Sequence, residues 1–296
     1  MSRPANTRPP GAVDDTAGRD AETHVDEADR GLGYDLQTLI RRRHLLGLFG
    51  GATAATLLAA CGAGGTSPGA SSSTSSSTSS TGSGVADPSR LTEVPDETSG
   101  PYPGDGSNGP DVLDDSGIVR SDIRSSFGST TTAGGVPLAV RLTVRDTFSG
   151  DPLARAAVYL WHCDRDGNYS LYSNGVTGEN YLRGVQPVDA TGTATFTSIF
   201  PGCYAGRWPH IHFEVYASAS DATSSGPIVK TSQIALPRQA CTAAYATTGY
   251  QTSAANLDRV SLSADMVFGD DGGIHQVATM SGDTATGYTA ALTIGV

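Results

Sequence analysis

Every second residue of PLAVRLTVRD is a branched aliphatic, so Leu138, Val140, Leu142 and Val144 lie on one side of an extended chain and Ala139, Arg141, Thr143 and Arg145 on the other. Side chains alternate between the two faces of a β-strand, and this period of two does not suit a helix. ARAAVYLWHCD alternates in the same way, with Val158, Leu160 and His162 against Tyr159, Trp161 and Cys163. GTATFTSIF, HIHFEVYAS, GIHQVATM and GYTAALTIGV are further β-rich runs, separated by FSGDP, DRDGN, FPG and GDDGG, whose residues suit turns. No long segment of this part of the chain keeps a helical period with caps. The expected fold is all-β, a β-sandwich core with long loops.

That alternation begins only in the second third of the chain. Residues 1–40 are polar and charged with few large apolar groups, and are expected to be disordered. RRRHLLGLFGGATAATLLAAC, from Arg41 to Cys61, has a basic start, an uncharged run and small residues before a cysteine, the pattern of an export leader. Arg42 and Arg43 resemble a twin-arginine signal, and LAAC ending at Cys61 resembles a lipoprotein box. The 16 uncharged residues from Leu45 to Ala60 fall short of the roughly 20 that span a bilayer. Residues 62–84 form a Ser/Gly-rich tether, leaving 85–296 as the folded domain, enough chain for one well-filled core. The expectation is an exported, extracytoplasmic protein held to a membrane only through a lipid on Cys61.

From Val85 onward, 12 Arg and Lys face 22 Asp and Glu, and Lys230 is the only lysine, so no basic stripe exists for nucleic acid. With Cys61 assigned to lipid, Cys163, Cys203 and Cys241 remain. Cys203 and Cys241 flank loops and are the expected disulfide in an oxidising compartment, whereas Cys163 ends a packed strand.

The chemistry concentrates in YAGRWPHIHFEVY. In a strand, His210 and His212 project from one face, about 6 to 7 Å apart at Cα, where two imidazoles can meet one ion. An H-x-H also occurs in strands that bind nothing, so this pair alone leaves both readings open. Tyr204, in the loop before the strand, and Tyr169, after the turn DRDGN, add two phenols. A phenol with a pKa of about 10 binds as tyrosinate only to a strongly acidic cation. Hard anionic oxygen donors beside two imidazoles point to Fe(III) rather than zinc or copper.

YLWHCDRDGNYSLYS, NYLRGVQPVDATGTATFTSIFPGCYAGRWPHIHFEV and the upstream ETSGPYPGDG resemble the intradiol ring-cleavage dioxygenases, the family of catechol 1,2-dioxygenase and protocatechuate 3,4-dioxygenase. The resemblance runs roughly from Glu97 to Tyr250. It implies a β-sandwich, with the loops carrying a non-haem Fe(III) site made by Tyr169, Tyr204, His210 and His212. It also implies a catalytic role for Arg207, beside the bound ring, and for Tyr204, as proton acceptor. The substrates implied are a small aromatic diol and O2, and the product is a cis,cis-muconate-type diacid. Two tyrosinates and one hydroxide neutralise Fe(III), so a neutral diol can bind as a dianion if the hydroxide and Tyr204 each take a proton. The helical dimerisation segment of catechol 1,2-dioxygenases is replaced here by leader and tether, so oligomeric state stays open. Pro101, Tyr102, Tyr172, Tyr181 and Gln186 are candidate pocket lining, while His162 and His275 are read as structural. The competing readings are a secreted non-catalytic metal-binding β-sandwich and a carbohydrate- or lignin-binding one.

Overall fold

A computed structural model describes residues 91–296. The N-terminal extension 1–40, the leader 41–61 with its Cys61 lipid, the tether 62–84 and the first residues of the expected domain lie outside the described residues.

Eight strands follow in chain order: β1 (Pro137–Arg145), β2 (Ala157–Trp161), β3 (Arg183–Pro187), β4 (Thr193–Ile199), β5 (His210–Tyr216), β6 (Ile228–Ala235), β7 (Thr279–Asp283) and β8 (Gly287–Gly295). They form two four-stranded sheets, β4-β1-β8-β7 and β3-β2-β5-β6. All ladders are antiparallel except β1 with β8, which brings the C-terminal strand to the centre of the first sheet. The β1 alternation holds, since Leu138, Val140, Leu142 and Val144 are all buried. They belong to the same apolar core as Phe196, Val158, Leu160, Ile211 and Phe213. The expected β-sandwich is the observed fold.

The second sheet departs from a one-sided sandwich strand in a way that matters for function. Every residue of β2 and β5 is buried, so both faces of this sheet are covered. One face meets the inter-sheet core. The other carries Tyr159, Trp161, Val185 and Tyr216, packed against Val112, Leu113 and Ile118 of the long segment before β1 and Tyr169 of the segment after β2. Loops, not a third sheet, therefore roof this face.

Three parts of the sequence reading change. β3 and β6 lie outside the runs singled out as strands. GIHQVATM is mostly turn, because the N–H groups of Gln276 and Val277 both donate to Gly273 O before β7 begins. Short helices α1 (Ala219–Ala222), α2 (Arg238–Tyr245) and α3 (Gln251–Leu257) fill corners between strands and are too brief to show a helical period. Among the described residues no helix is long and apolar enough to cross a membrane.

The expected Cys203–Cys241 disulfide is absent, and Cys163, Cys203 and Cys241 are all buried thiols. Cys203 Sγ points at Arg207 O (3.5 Å) and Cys241 Sγ at Leu236 O (3.7 Å), each satisfied within its own segment. Burial pushes the Cys203 thiol up to about 12, which suppresses the thiolate that disulfide formation requires. Alkylation without reductant is expected to label Cys163, Cys203 and Cys241 in the unfolded chain and none of them in the folded one. Peptide mapping by mass spectrometry checks this, and a Cys203–Cys241 crosslinked peptide would contradict it.

Candidate metal centre

Strand register builds the site. β5 pairs with β2 so that His212 stands opposite Trp161, and with β6 so that it stands opposite Gln233. The indole of Trp161 stacks flat on the His212 ring, with centroids 4.9 Å apart and planes 8° from parallel. Two residues earlier on the same face, His210 donates from Nδ1 to Trp208 O at 2.6 Å, so its Nε2 carries the lone pair. That Nε2 lies 3.1 Å from His212 Nε2, 3.2 Å from Tyr204 Oη and 3.4 Å from Tyr169 Oη. The four residues singled out in the sequence thus place their donor atoms together.

Two loops deliver the tyrosines. Asp164 Oδ1 accepts from the N–H groups of Asp166 and Asn168, closing the turn after β2 and setting Tyr169 at its exit. DRDGN is therefore a turn, as read. Gly167 lies at its tip with φ +92°, and a Cβ there would meet Tyr204 Cβ at 3.0 Å. The absent side chain lets the Tyr169 and Tyr204 loops close on each other.

Burial sets the protonation states. Tyr169, His210 and His212 are almost fully buried, while Tyr204 is half-buried beside the exposed Ala205 and Gly206. Desolvation, and next the neighbouring Tyr204, push the Tyr169 phenol well above its ordinary range. Desolvation and then Arg207 bring His210 down to about 3, and desolvation and then His210 take His212 well below its usual value. Both imidazoles are neutral, the form that binds metals. The donor separations of 3.1 to 3.4 Å suit ligands about 2.0–2.2 Å from one shared ion. Among the described residues, no group of three His, Cys, Asp or Glu is placed to hold a metal, and the protein donors gathered around these histidines are the two phenols. Two nitrogens and two phenol oxygens fit a hard, highly charged cation that makes the tyrosinates favourable.

Arg207 is buried, not a surface cation. Its Nε donates to Asp265 Oδ2 at 3.0 Å and its Nη2 to Gln233 Oε1 at 2.7 Å. Asp265 also accepts from the N–H groups of Trp208, Val267 and Phe268. Burial acts to raise its carboxyl, but Arg207 and the Trp208 N–H outweigh that and hold it below its ordinary value. Gln233, opposite His212, donates in turn to Thr98 O at 2.9 Å, tying the segment before β1 to the site.

Of the candidate lining residues, Tyr102 packs 4.9 Å from the Tyr169 ring and 5.2 Å from the Tyr172 ring. Tyr181 instead donates to Asp164 Oδ2 and packs with Leu182 and Ile199. Gln186 pairs with Val158, on the sheet face away from the histidines. His162 is structural, held by Cys163 O and Ser198 Oγ at 2.7 Å each. A groove of about 370 Å³ lined by Leu153, Val215, Tyr216 and Val229 lies at the far end of β5. Asp265, Gln233 and Trp161 were not singled out in the sequence. Gln233 and Trp161 follow from register once β6 and the β2–β5 pairing are known, whereas Asp265 lies in a loop with no local signal.

Replacing Asp265 with Ala leaves Arg207 a buried, uncompensated charge, and is expected to lower stability by about 3–5 kcal/mol in urea unfolding. Glu97 gives a second outcome. Desolvation, then Asp270, raise its carboxyl from 4.5 to about 7. The folded state therefore holds this proton more tightly than the unfolded state, so its contribution is present in full below about 4.5 and is lost as pH rises through about 7. Glu97→Gln should flatten the fall in melting temperature across that interval relative to wild type. Parallel curves would refute the assignment.

Three known proteins or families resemble parts of this chain. The family model described as "Dioxygenase" matches residues 108–224, which contain all four clustered residues and Arg207. A chlorocatechol 1,2-dioxygenase of Rhodococcus opacus is 40% identical over 62 residues, 21% of this chain and 24% of the relative, so the match spans about a quarter of that enzyme's length. An intradiol ring-cleavage dioxygenase structure from Tetranychus urticae, 23% identical, shares the fold with a TM-score of 0.56 over 69% of this chain and 94% of its own. The matched segment lies within the stretch, roughly Glu97 to Tyr250, that carries the resemblance read from the sequence, and the fold is shared with an intradiol ring-cleavage dioxygenase structure.

Proposed function

We propose that the chain is a non-haem Fe(III)-dependent intradiol dioxygenase that cleaves a catechol-type aromatic diol with O2 to a cis,cis-muconate-type product. The observation that carries the reading is that Tyr169 Oη, Tyr204 Oη and His212 Nε2 all lie within 3.4 Å of His210 Nε2, with Arg207 held by Gln233, the cross-strand partner of His212. These four side chains would hold the iron. When bound, ferric iron supplies Lewis-acid activation of the diol toward O2.

The chain's own groups divide the remaining work. Tyr169 is buried and its N–H is tied to Ser173 Oγ, so it has no room to leave. Tyr204 is half-buried in a glycine-containing loop and, as a phenolate, would accept a proton from a diol hydroxyl at Oη and swing aside. Arg207 cannot move with the reaction, because Asp265 and Gln233 hold it. A fixed cation stabilises negative charge developing on a ring without reorganising. Tyr102, Tyr172 and Trp161 give the surroundings an aromatic, largely dry character suited to a ring substrate. Export, with membrane attachment through a lipid on Cys61, belongs to the same proposal and rests on residues 41–61 alone.

The full chain from iron-replete cells is expected to be red from tyrosinate-to-iron charge transfer and to consume O2 with catechol. Tyr169→Phe should lose colour and iron together, whereas Arg207→Ala should keep the colour and lose turnover by about 10²–10³-fold. A colourless, iron-free protein that takes up no O2 would defeat the proposal and leave a non-catalytic sandwich.

A further inference from the structure

Arg183, at the start of β3, is fully buried and makes no ion pair among the described residues. Its guanidinium is spent on neutral groups. Nε donates to Ser170 Oγ (3.0 Å) and Nη2 to Ser170 O (2.9 Å), while Nη1 donates to Pro103 O (2.9 Å) and Tyr159 Oη (3.2 Å). Burying a cation against neutral acceptors alone is costly, so what these contacts hold becomes the question. Ser170 is the residue after Tyr169. Pro103 is the residue after Tyr102, whose ring packs on Tyr169. One guanidinium therefore gathers the segment carrying Tyr169 and the segment roofing it.

Backbone conformation points the same way. Only three non-glycine residues among those described have positive φ, and two flank this clamp: Leu171 (φ 74°), directly after Ser170, and Leu182 (φ 58°), directly before Arg183. Left-handed backbone is unfavourable for leucine and persists where surrounding contacts over-determine it. The contacts are dense. A Cβ on Gly104 would meet Arg183 Nη1 at 2.9 Å, so the roof crosses the guanidinium at a residue with no side chain. Tyr172 lies 5.5 Å from Arg183 Cζ and accepts the Gly104 N–H at 2.9 Å. Behind, Arg120 Nε and Nη2 both donate to Arg183 O, fixing the strand from which the side chain reaches. Arg183 is also in register with Trp161, and Trp161 with His212, so the clamp and His212 stand on one row of the sheet.

We propose that Arg183 is a positioning residue for the metal centre: its bidentate grip on Ser170, with its bond to Pro103, sets where the Tyr169 phenol stands relative to His210 and His212. The inference rests on the Fe(III) reading above, and it concerns a side chain that does not touch the ion. Two of its bonds need the planar fork of a guanidinium on a single residue, which an ammonium cannot reproduce.

The test uses the full chain, with Arg183→Lys and Arg183→Met. Three quantities are read: iron retained in competition with a chelator, the energy of the tyrosinate charge-transfer band, and the melting temperature of the iron-free protein. Wild type should bind iron and be red; if it does neither, the Fe(III) reading fails rather than this one. Given red wild type, both variants should lose about 10–100-fold in iron affinity, as loss of supporting contacts around a metal does, with a shifted band. Lys should fall nearer wild type than Met, because it retains one donor to Ser170. A lowered melting temperature with iron affinity and band unchanged in the folded fraction would overturn the proposal, reducing Arg183 to a packing role. If Arg183→Met fails to fold, Arg183→Lys decides by the same two readouts.

Discussion

The stack of Trp161 on His212 is the contact on which the rest of the site depends. It exists because β2 and β5 pair in one register, and a slip of one residue would turn both imidazoles into the inter-sheet core. The same register places Gln233 on the other side of His212 and Arg183 beyond Trp161, so one row across four strands carries the guanidinium clamp, the indole, the imidazole and the amide that holds Arg207. A sandwich ordinarily exposes the outer face of each sheet. Here the outer face of the second sheet is covered by loops, and that cover keeps His210, His212 and the Tyr169 phenol buried together.

Buried cations in this domain are handled in different ways, and the differences follow their positions. Lys230 lies on the edge strand β6 and reaches exposed carboxylates of Glu93 and Asp96, where solvent shares the charge. Arg207 has a buried carboxylate partner, Asp265, whose remaining lone pairs are filled by three backbone N–H groups. Arg183 has no carboxylate and spreads its charge over carbonyls and hydroxyls. A carboxylate next to Arg183 would have to lie among Tyr159, Tyr172 and Ser170, close behind the tyrosine expected to become anionic. Neutral acceptors hold the loops without placing a second negative charge there.

How much of this was legible in the sequence depended on range. The alternation in PLAVRLTVRD and the H-x-H of HIHFEVY report local geometry, and both held. Tyr169 and Tyr204 lie at the ends of turns whose Asp and Gly residues announce themselves, so their loop positions were also readable. Arg207 was found, but its environment was not: Asp265 lies 58 residues further on, in an irregular segment with no period to read. β6 was missed because both of its faces are buried from Lys230 onward and the middle of the strand, Lys230, Thr231, Ser232 and Gln233, is polar, so no hydrophobic alternation marks it. The disulfide failed for a related reason, since flanking a loop says nothing of where a thiol points.

The two tyrosines are held in different ways, which matches the roles proposed for them. Tyr169 leads into Leu171, a leucine in left-handed backbone, and lies under Tyr102. Tyr204 lies in a loop whose next two residues are exposed and whose inward neighbour is a glycine. A donor that must stay put is best held by contacts that leave it no alternative conformer, and left-handed leucines are tolerable only where such contacts exist. In the proposed mechanism Tyr204 leaves and returns, which calls for nearby space, and its half-buried position beside exposed Ala205 and Gly206 offers it. Gly167, with no side chain, is what lets the Tyr169 segment come this close to Tyr204.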